Sequence, residues 1–256
     1  MRFDFPLLQF LSVTYLLFNS AFAHCSQNNN ILLTKSNSRP LITLSLGPDF
    51  ITQGRAQTLS LYPPFENYYT NTKRSTSAFD GGVFLGVERS MTNETLLQLG
   101  VGGYTDELIH PKGDVWLFGS SLFDTLAYQY HVRHSRVVAE SKLLFNLKDI
   151  QLLHPYFSGT LGAAFNQAGD YQETRLVAGA VPTQPFNNHT RTMLTWGFGV
   201  GVDASLSKNV RLGMGYQFAD LGSVALGPTP AALTSQTLSF PHLYTNQIRF
   251  QLSLLK

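Results

Sequence analysis

Large apolar residues alternate with small or polar residues along much of the chain. In residues 209–220, NVRLGMGYQFAD, the large apolar positions are Val210, Leu212, Met214, Tyr216 and Phe218. A period of two puts successive side chains on opposite faces of a β-strand, whereas a helix repeats every 3.6 residues or so, about twice as slowly. The same alternation recurs in residues 41–50, 78–88, 95–104, 154–165, 193–206 and 246–254. The pattern predicts an all-β protein.

The composition indicates which face of these strands meets lipid. Only 13% of the residues are charged, below the roughly 25% of soluble domains, and no internal apolar run reaches the roughly 20 residues of a membrane helix. The polar faces are mostly Gly, Ser, Thr and Gln, whereas solvated faces are rich in Lys, Glu and Asp. We therefore predict a transmembrane β-barrel with its apolar face toward lipid. The alternative is a soluble, lipocalin-like barrel with the two faces inverted.

The lengths of the connections predict the number of strands. Long connections at 51–77, 106–121, 167–191 and 221–241 alternate with short ones at 90–93, 147–153 and 207–209. Membrane barrels of bacteria have short periplasmic turns and longer external loops. The pattern predicts a closed antiparallel up-and-down barrel of eight strands with both termini in the periplasm.

One segment does not fit this count. Residues 122–145 are too long for one crossing, and their apolar positions change parity between Val132 and Val137. A change of parity indicates a bulge or a tight turn near His134 and Ser135. We favour a bulged strand that extends above the membrane; a turn, with residues 57–62 as a further strand, would raise the count to ten.

The N-terminus has the features of an export signal. Arg2 precedes an apolar stretch from Leu7 to Phe18, and Ala21-Phe22-Ala23 resembles a cleavage site. The sequence predicts a signal peptide over 1–23, a polar periplasmic leader over 24–38 and an outer-membrane barrel domain over 39–256. The single cysteine, Cys25, permits no intramolecular disulfide and lacks the neighbours that lipidation requires.

Four charged residues on the polar faces are candidates for the lumen of the barrel: Glu88, Asp203, Arg211 and Arg249. We interpret them as a structural ion-pair network, because eight strands leave little open cross-section. The alternative is the lining of a narrow, porin-like pore. The formal net charge of +2 leaves no basic surface for nucleic acid, and no cofactor or metal motif is evident.

A third interpretation of the polar residues is that some of them form an enzyme active site. His131, His134, Ser135 and Glu140 lie close in sequence, but His134 and Ser135 are adjacent and point to opposite faces of a strand. Asp106, Asp114 and Asp170 fall in predicted loops, where carboxylates are usually just solvated. Seven aromatic residues near strand ends are interpreted as interfacial girdles: Tyr68, Tyr69, Tyr104, Trp116, Tyr216, Phe240 and Tyr244.

At residues 154–166, 211–222 and 243–254 the chain resembles the small outer-membrane β-barrels that include opacity-type surface proteins and the transmembrane domain of outer membrane protein A. The resemblance implies an eight-stranded barrel in the outer membrane of a Gram-negative bacterium, surrounded by lipid and lipopolysaccharide and inserted by the barrel assembly machinery. The chain departs from that family in ending with Lys256 rather than an aromatic residue.

The sequence thus predicts a non-enzymatic outer-membrane surface protein. Its role would be structural or adhesive, with a host or surface ligand bound by four long external loops. A narrow pore and a lipid A-modifying enzyme are the alternatives.

Overall fold

The structure is a computed structural model, and it describes residues 38–52, 54–62, 64–72, 75–147, 152–182, 185–229 and 236–256. The predicted signal peptide, the modification state of Cys25 and nearly all of the predicted leader lie outside these residues. None of the helices in the described ranges is long and apolar enough to cross a membrane.

Eight antiparallel strands close into a ring. They are β1 (Ser38–Thr52), β2 (Ser75–Ser90), β3 (Thr95–Asp106), β4 (Asp124–Phe145), β5 (Leu153–Arg175), β6 (His189–Ser205), β7 (Val210–Asp220) and β8 (Tyr244–Leu255). Each strand pairs with the next, and β1 pairs with β8, where Leu41 lies opposite Leu255. The predicted eight-stranded, up-and-down barrel is confirmed.

The predicted faces of the barrel strands are also confirmed. Large apolar side chains are exposed on the outside of each alternating segment identified in the sequence, as at Leu46, Val101, Phe157, Phe198 and Phe250. Polar and charged side chains are buried between them, on the inside of the ring. An apolar exterior around a polar, filled interior is the arrangement of a barrel whose outer surface contacts lipid and not water.

The three short connections and the termini of the ring lie at one end, which we call the turn end, and the four long connections lie at the other, the loop end. The short connections span 91–94, 146–152 and 206–209; the long ones span 53–74, 107–123, 176–188 and 221–243. The predicted alternation of short and long connections is therefore correct. The third long connection is shorter than predicted because β5 continues to Arg175.

The predicted bulge near His134 and Ser135 is wrong. Alternate residues of β4 face inward without interruption from Leu126 to Leu144, and the pairing with β5 is regular at both His134 and Ser135. What changes along β4 is the surroundings of its inner face, which are apolar near the loop end and polar within the barrel. The only irregularity between β4 and β5 lies beyond His131, opposite Asp170, whose φ is 54°.

A smaller sheet continues beyond the barrel at the loop end. The outer parts of β4 and β5 pair there, and strands Lys112–Trp116, Phe65–Tyr69 and Gln57–Tyr62 add to β4 in that order. We call these five paired segments the external sheet. Residues 57–62, the candidate for a ninth barrel strand, form a hairpin in this sheet and do not join the ring.

Candidate functional site

The lumen near the turn end is crossed by an ion pair. Both guanidinium Nη atoms of Arg211 donate to the carboxylate of Glu88, with Nη2 to Oε1 at 3.1 Å. Gln98, directly opposite Glu88 on β3, donates from Nε2 to Glu88 Oε2 at 2.9 Å. All three side chains are buried. Such two-pronged pairs fix both partners and compensate their charges.

A second ion pair crosses the lumen beside the first, because Lys142 lies opposite Gln98 in the pairing of β4 with β3. Lys142 Nζ donates to both carboxylate oxygens of Asp203, at 2.9 and 2.8 Å, and to Gln251 Oε1 at 2.8 Å. The ammonium also lies 3.8 Å from the ring centroid of Tyr156. A side chain at Gly213 would not fit here, since its Cβ would come within 2.3 Å of Asp203 Oδ1. The glycine makes room for the charged pair.

A third, larger cluster fills the lumen on the loop side. Arg249 lies over the ring of Tyr104, with 4.2 Å from Cζ to the centroid, and its Nη2 is 3.6 Å from Asp80 Oδ1. Tyr104 donates its hydroxyl proton to Glu140 Oε2 at 2.5 Å. Arg136 Nη2 donates to Asp80 Oδ2 at 3.3 Å.

This third cluster also contains buried polar atoms without a hydrogen-bond partner among the described residues. They include all three guanidinium nitrogens of Arg249, both ring nitrogens of His134 and one carboxylate oxygen each of Asp49, Asp80 and Asp106. Buried polar groups of this kind are commonly satisfied by internal water. The cluster therefore contains more buried polar atoms than its own side chains pair with.

The structure places all four predicted lumen residues inside the barrel, but in three separate clusters. Only Glu88 and Arg211 pair with each other; Asp203 pairs with Lys142, and Arg249 lies near Asp80. The sequence analysis missed Arg136, Glu140 and Lys142 as lumen groups, and it left Asp80 out of the charge network although Asp80 shares the polar face of its strand with Glu88. Their signal was present, because each stands on the inner parity of its strand.

An apolar core closes the loop end of the lumen. It contains inward residues of β1, β2, β4, β5 and β7 together with residues of the long connections, and all are buried. Its members include Ile51, Tyr130, Val132, Leu221, Leu238, Phe240 and Leu243. We call this core the cap. It accounts for the apolar inner face of β4 near the loop end.

Three of the seven aromatic residues that were predicted to form girdles are buried inside the molecule. Tyr69 and Phe240 are cap residues, and Tyr104 is in the lumen below, so the girdle interpretation is wrong for these three. Burial, with a smaller contribution from nearby Glu173, raises the pKa of Tyr69 to about 12. Its phenol therefore stays neutral in the cap.

The candidate enzyme residues do not come together. His134 and Glu140 point into the lumen, whereas Ser135 is on the outer face, where its Oγ lies 3.4 Å from Thr105 Oγ1. His131 lies farther out, with Nδ1 3.2 Å from Asp170 Oδ2. Within the described ranges, no group of three His, Cys, Asp or Glu residues is arranged to hold a metal ion.

The two ends of the lumen differ. At the turn end a cavity of about 1010 Å³ is open, and its lining includes Arg39, Lys208, Arg211 and Lys256. It ends at the Glu88–Arg211 pair. At the loop end the cap lies across the strands. Within the described residues, the interior is therefore open toward the turns and covered by the cap toward the loops.

A closed eight-stranded barrel with a lipid-facing apolar exterior, a filled polar interior and short turns at one end is a transmembrane β-barrel of the bacterial outer membrane. This is the class and the location that the sequence predicted.

Solved structures of the same class resemble the chain. Neisserial surface protein A has 10% identity and a TM-score of 0.42, over 85% of this chain and 98% of that one. OprG from Pseudomonas aeruginosa has 12% identity and a TM-score of 0.42, over 84% of this chain and 95% of that one. The outer membrane protease OmpT from Escherichia coli has 8% identity and a TM-score of 0.41, over 90% of this chain and 99% of that one. No family model and no curated protein matches.

Proposed function

We propose that this protein is a non-enzymatic surface protein that recognises a partner outside the cell with its external sheet and long connections. The observation that carries the proposal is the cap: it closes the lumen at the loop end and at the same time anchors the external sheet through Leu59, Tyr69 and Val115. A closed barrel supplies no path for solutes, and a rigid sheet beyond the membrane supplies a surface for binding.

The distribution of the candidate catalytic groups supports the absence of an enzyme activity. His134 and Glu140 lie beneath the cap, and Ser135 lies on the opposite face of β4. A lipid A-modifying or proteolytic site would need its nucleophile or general base to meet a bulky substrate at the rim of the barrel.

A narrow pore is the second candidate. The observation that favours it is the run of buried polar and charged side chains around Arg249 and His134, which continues the polar interior up to the cap. The pore would conduct only if the cap and the two lower ion pairs opened together.

Two measurements on the full chain test the proposal. Planar bilayers that contain the purified protein should show no steady conductance, because of the cap and the ion pairs. Gram-negative cells that display the protein should adhere to a target surface more than cells that display a variant with residues 57–69 replaced by a short Gly-Ser linker. Steady conductance by the intact protein supports the pore instead, and equal adhesion contradicts recognition by the external sheet.

A further inference from the structure

The outermost part of the external sheet carries exposed apolar side chains. Phe65, Phe118, Leu122 and Phe123 are 50, 56, 90 and 48% exposed. The rings of Phe65 and Phe118 have their centroids 5.7 Å apart, and those of Phe118 and Phe123 are also 5.7 Å apart. We call residues 117–123 together with Phe65 the apolar tip.

The apolar tip is far from the membrane-spanning part of the barrel. Ser135 on β4 pairs with Thr105 near the loop end of β3, and β4 continues outward from there to Asp124, next to the tip. Eleven residues of strand correspond to about 35 Å at roughly 3.3 Å per residue, less the tilt of the strand. The tip therefore projects outward from the cell and is not a continuation of the lipid-facing belt.

The backbone holds these side chains outward. Residues 117–119 and 121–123 form two 3₁₀ turns, in which Phe123 N donates to Ser120 O at 3.0 Å and Leu122 N donates to Ser120 Oγ at 3.3 Å. Phe118 has a φ of 57°, in the left-handed region that an aromatic residue rarely adopts and that strains the backbone. A strained, hydrogen-bonded loop that presents its apolar groups to water indicates a binding surface.

The shape and the charge of the tip identify the partner. The side chains project from a turn, and Leu122 is 90% exposed. A projecting group is buried only by a surface that is concave or can deform around it, so the partner must have such a surface. Residues 115–123 contain no charge. The charged residues of the described strands next to the tip are Glu66, Lys112, Asp114, Asp124, Glu173 and Arg175, four carboxylates and two cations. That balance disfavours an anionic surface.

We propose that the apolar tip inserts into the surface of a zwitterionic phospholipid bilayer that faces the bacterium. Exposed Phe and Leu side chains bind at the lipid–water interface by burying apolar area. The proposal names the partner of the external sheet and so rests on the proposed function.

The test uses the full chain in nanodiscs and phosphatidylcholine vesicles, with flotation as the readout. The variant F118N/L122S removes the two outermost apolar groups, and Asn tolerates a positive φ. V181S is the matched control, because Val181 is 71% exposed in a different long connection. We expect F118N/L122S to bind at least about tenfold more weakly, given the burial value of a large apolar side chain. V181S should bind like the wild type, and replacing a fifth of the lipid with phosphatidylglycerol should weaken binding.

Three results would overturn the inference: no binding of the wild-type protein to phosphatidylcholine, equal binding by F118N/L122S, or stronger binding to the anionic vesicles. Folding of each variant is checked by its mobility in unboiled gels. If vesicles fail to bind while displaying cells still adhere, and adhesion is lost when the target surface is treated with protease, the partner is a protein; the inference then fails and the proposed function stands. If adhesion does not depend on residues 57–69 either, both fail.

Discussion

At the scale of single residues, the lumen contains buried charged side chains that are paired with side chains of opposite charge. Lys142 and Asp203 are both buried, and each would be left without its main charged partner if the other were removed. An unpaired buried charge is far more costly than the pair is stabilising. Cross-lumen pairs are therefore the positions where one substitution has the largest effect on the barrel.

Replacing Lys142 with Met should lower the free energy of unfolding by about 3–5 kcal/mol, because the buried carboxyl group of Asp203 would lose its ammonium partner. The loss is measured by unfolding the protein in lipid vesicles with urea and using the change in gel mobility as the readout. The double variant K142M/D203N should recover part of it. A double variant no more stable than K142M would show that the pair itself is not the source of the effect.

The placement of lumen charges was predictable, and their pairing was not. Inward parity can be read from each strand alone, as it was for Glu88 and Arg211. Which residues meet depends on how the strands are staggered around the ring, and that information is not local. Lys142 and Arg136 were not predicted as lumen residues, because the apparent change of face in β4 obscured the fact that both are on its inward parity.

At the scale of elements, the interpretation of a strand pattern depends on what lies on each side of the strand. Val137, Ala139 and Leu143 of β4 face lipid, whereas Leu126, Tyr128 and Tyr130 face the cap. The sequence shows apolar residues on both parities and cannot show that two different apolar surroundings exist. The faces of the other barrel strands were predicted correctly because these strands have one apolar side throughout the membrane, although β5 extends farther than predicted.

The lipid-facing side of β1 gives a test at this scale. Leu46→Arg should destabilise the barrel by about 2–4 kcal/mol, because Leu46 is on the outer face near the middle of the strand. The same substitution at Val181, outside the membrane, should have nearly no effect. Urea unfolding in lipid vesicles compares the two. Equal stability of both variants would contradict the placement of Leu46 in lipid.

The cap should be separable from the barrel. Leu243→Ala removes a fully buried side chain from the cap, which should cost about 2–5 kcal/mol of local stability. Hydrogen exchange should then become faster in residues 221–229 and 236–243, with the exchange of β7 and β8 within the membrane unchanged. Equal acceleration across β7 and β8 would mean that the cap and the barrel unfold together.

At the scale of the whole molecule, the closed ring leaves no free strand edge within the membrane. Such a barrel resists detergent until it is heated. The folded protein should therefore migrate faster in detergent gels before boiling than after it. Identical mobility, with the protein in the soluble periplasmic fraction, would contradict the lipid-facing orientation.

The reversal of surroundings along β4 sets an order of assembly. The lipid-facing half of the strand finds its apolar environment as soon as it enters the bilayer. The outer half is covered in two stages. Tyr128 packs against Tyr69 and Tyr171, which are present once β5 has been made, whereas Tyr130 meets Phe240 only after the last long connection, about a hundred residues later in the chain. We therefore expect the cap to be completed last, together with the closing of the ring.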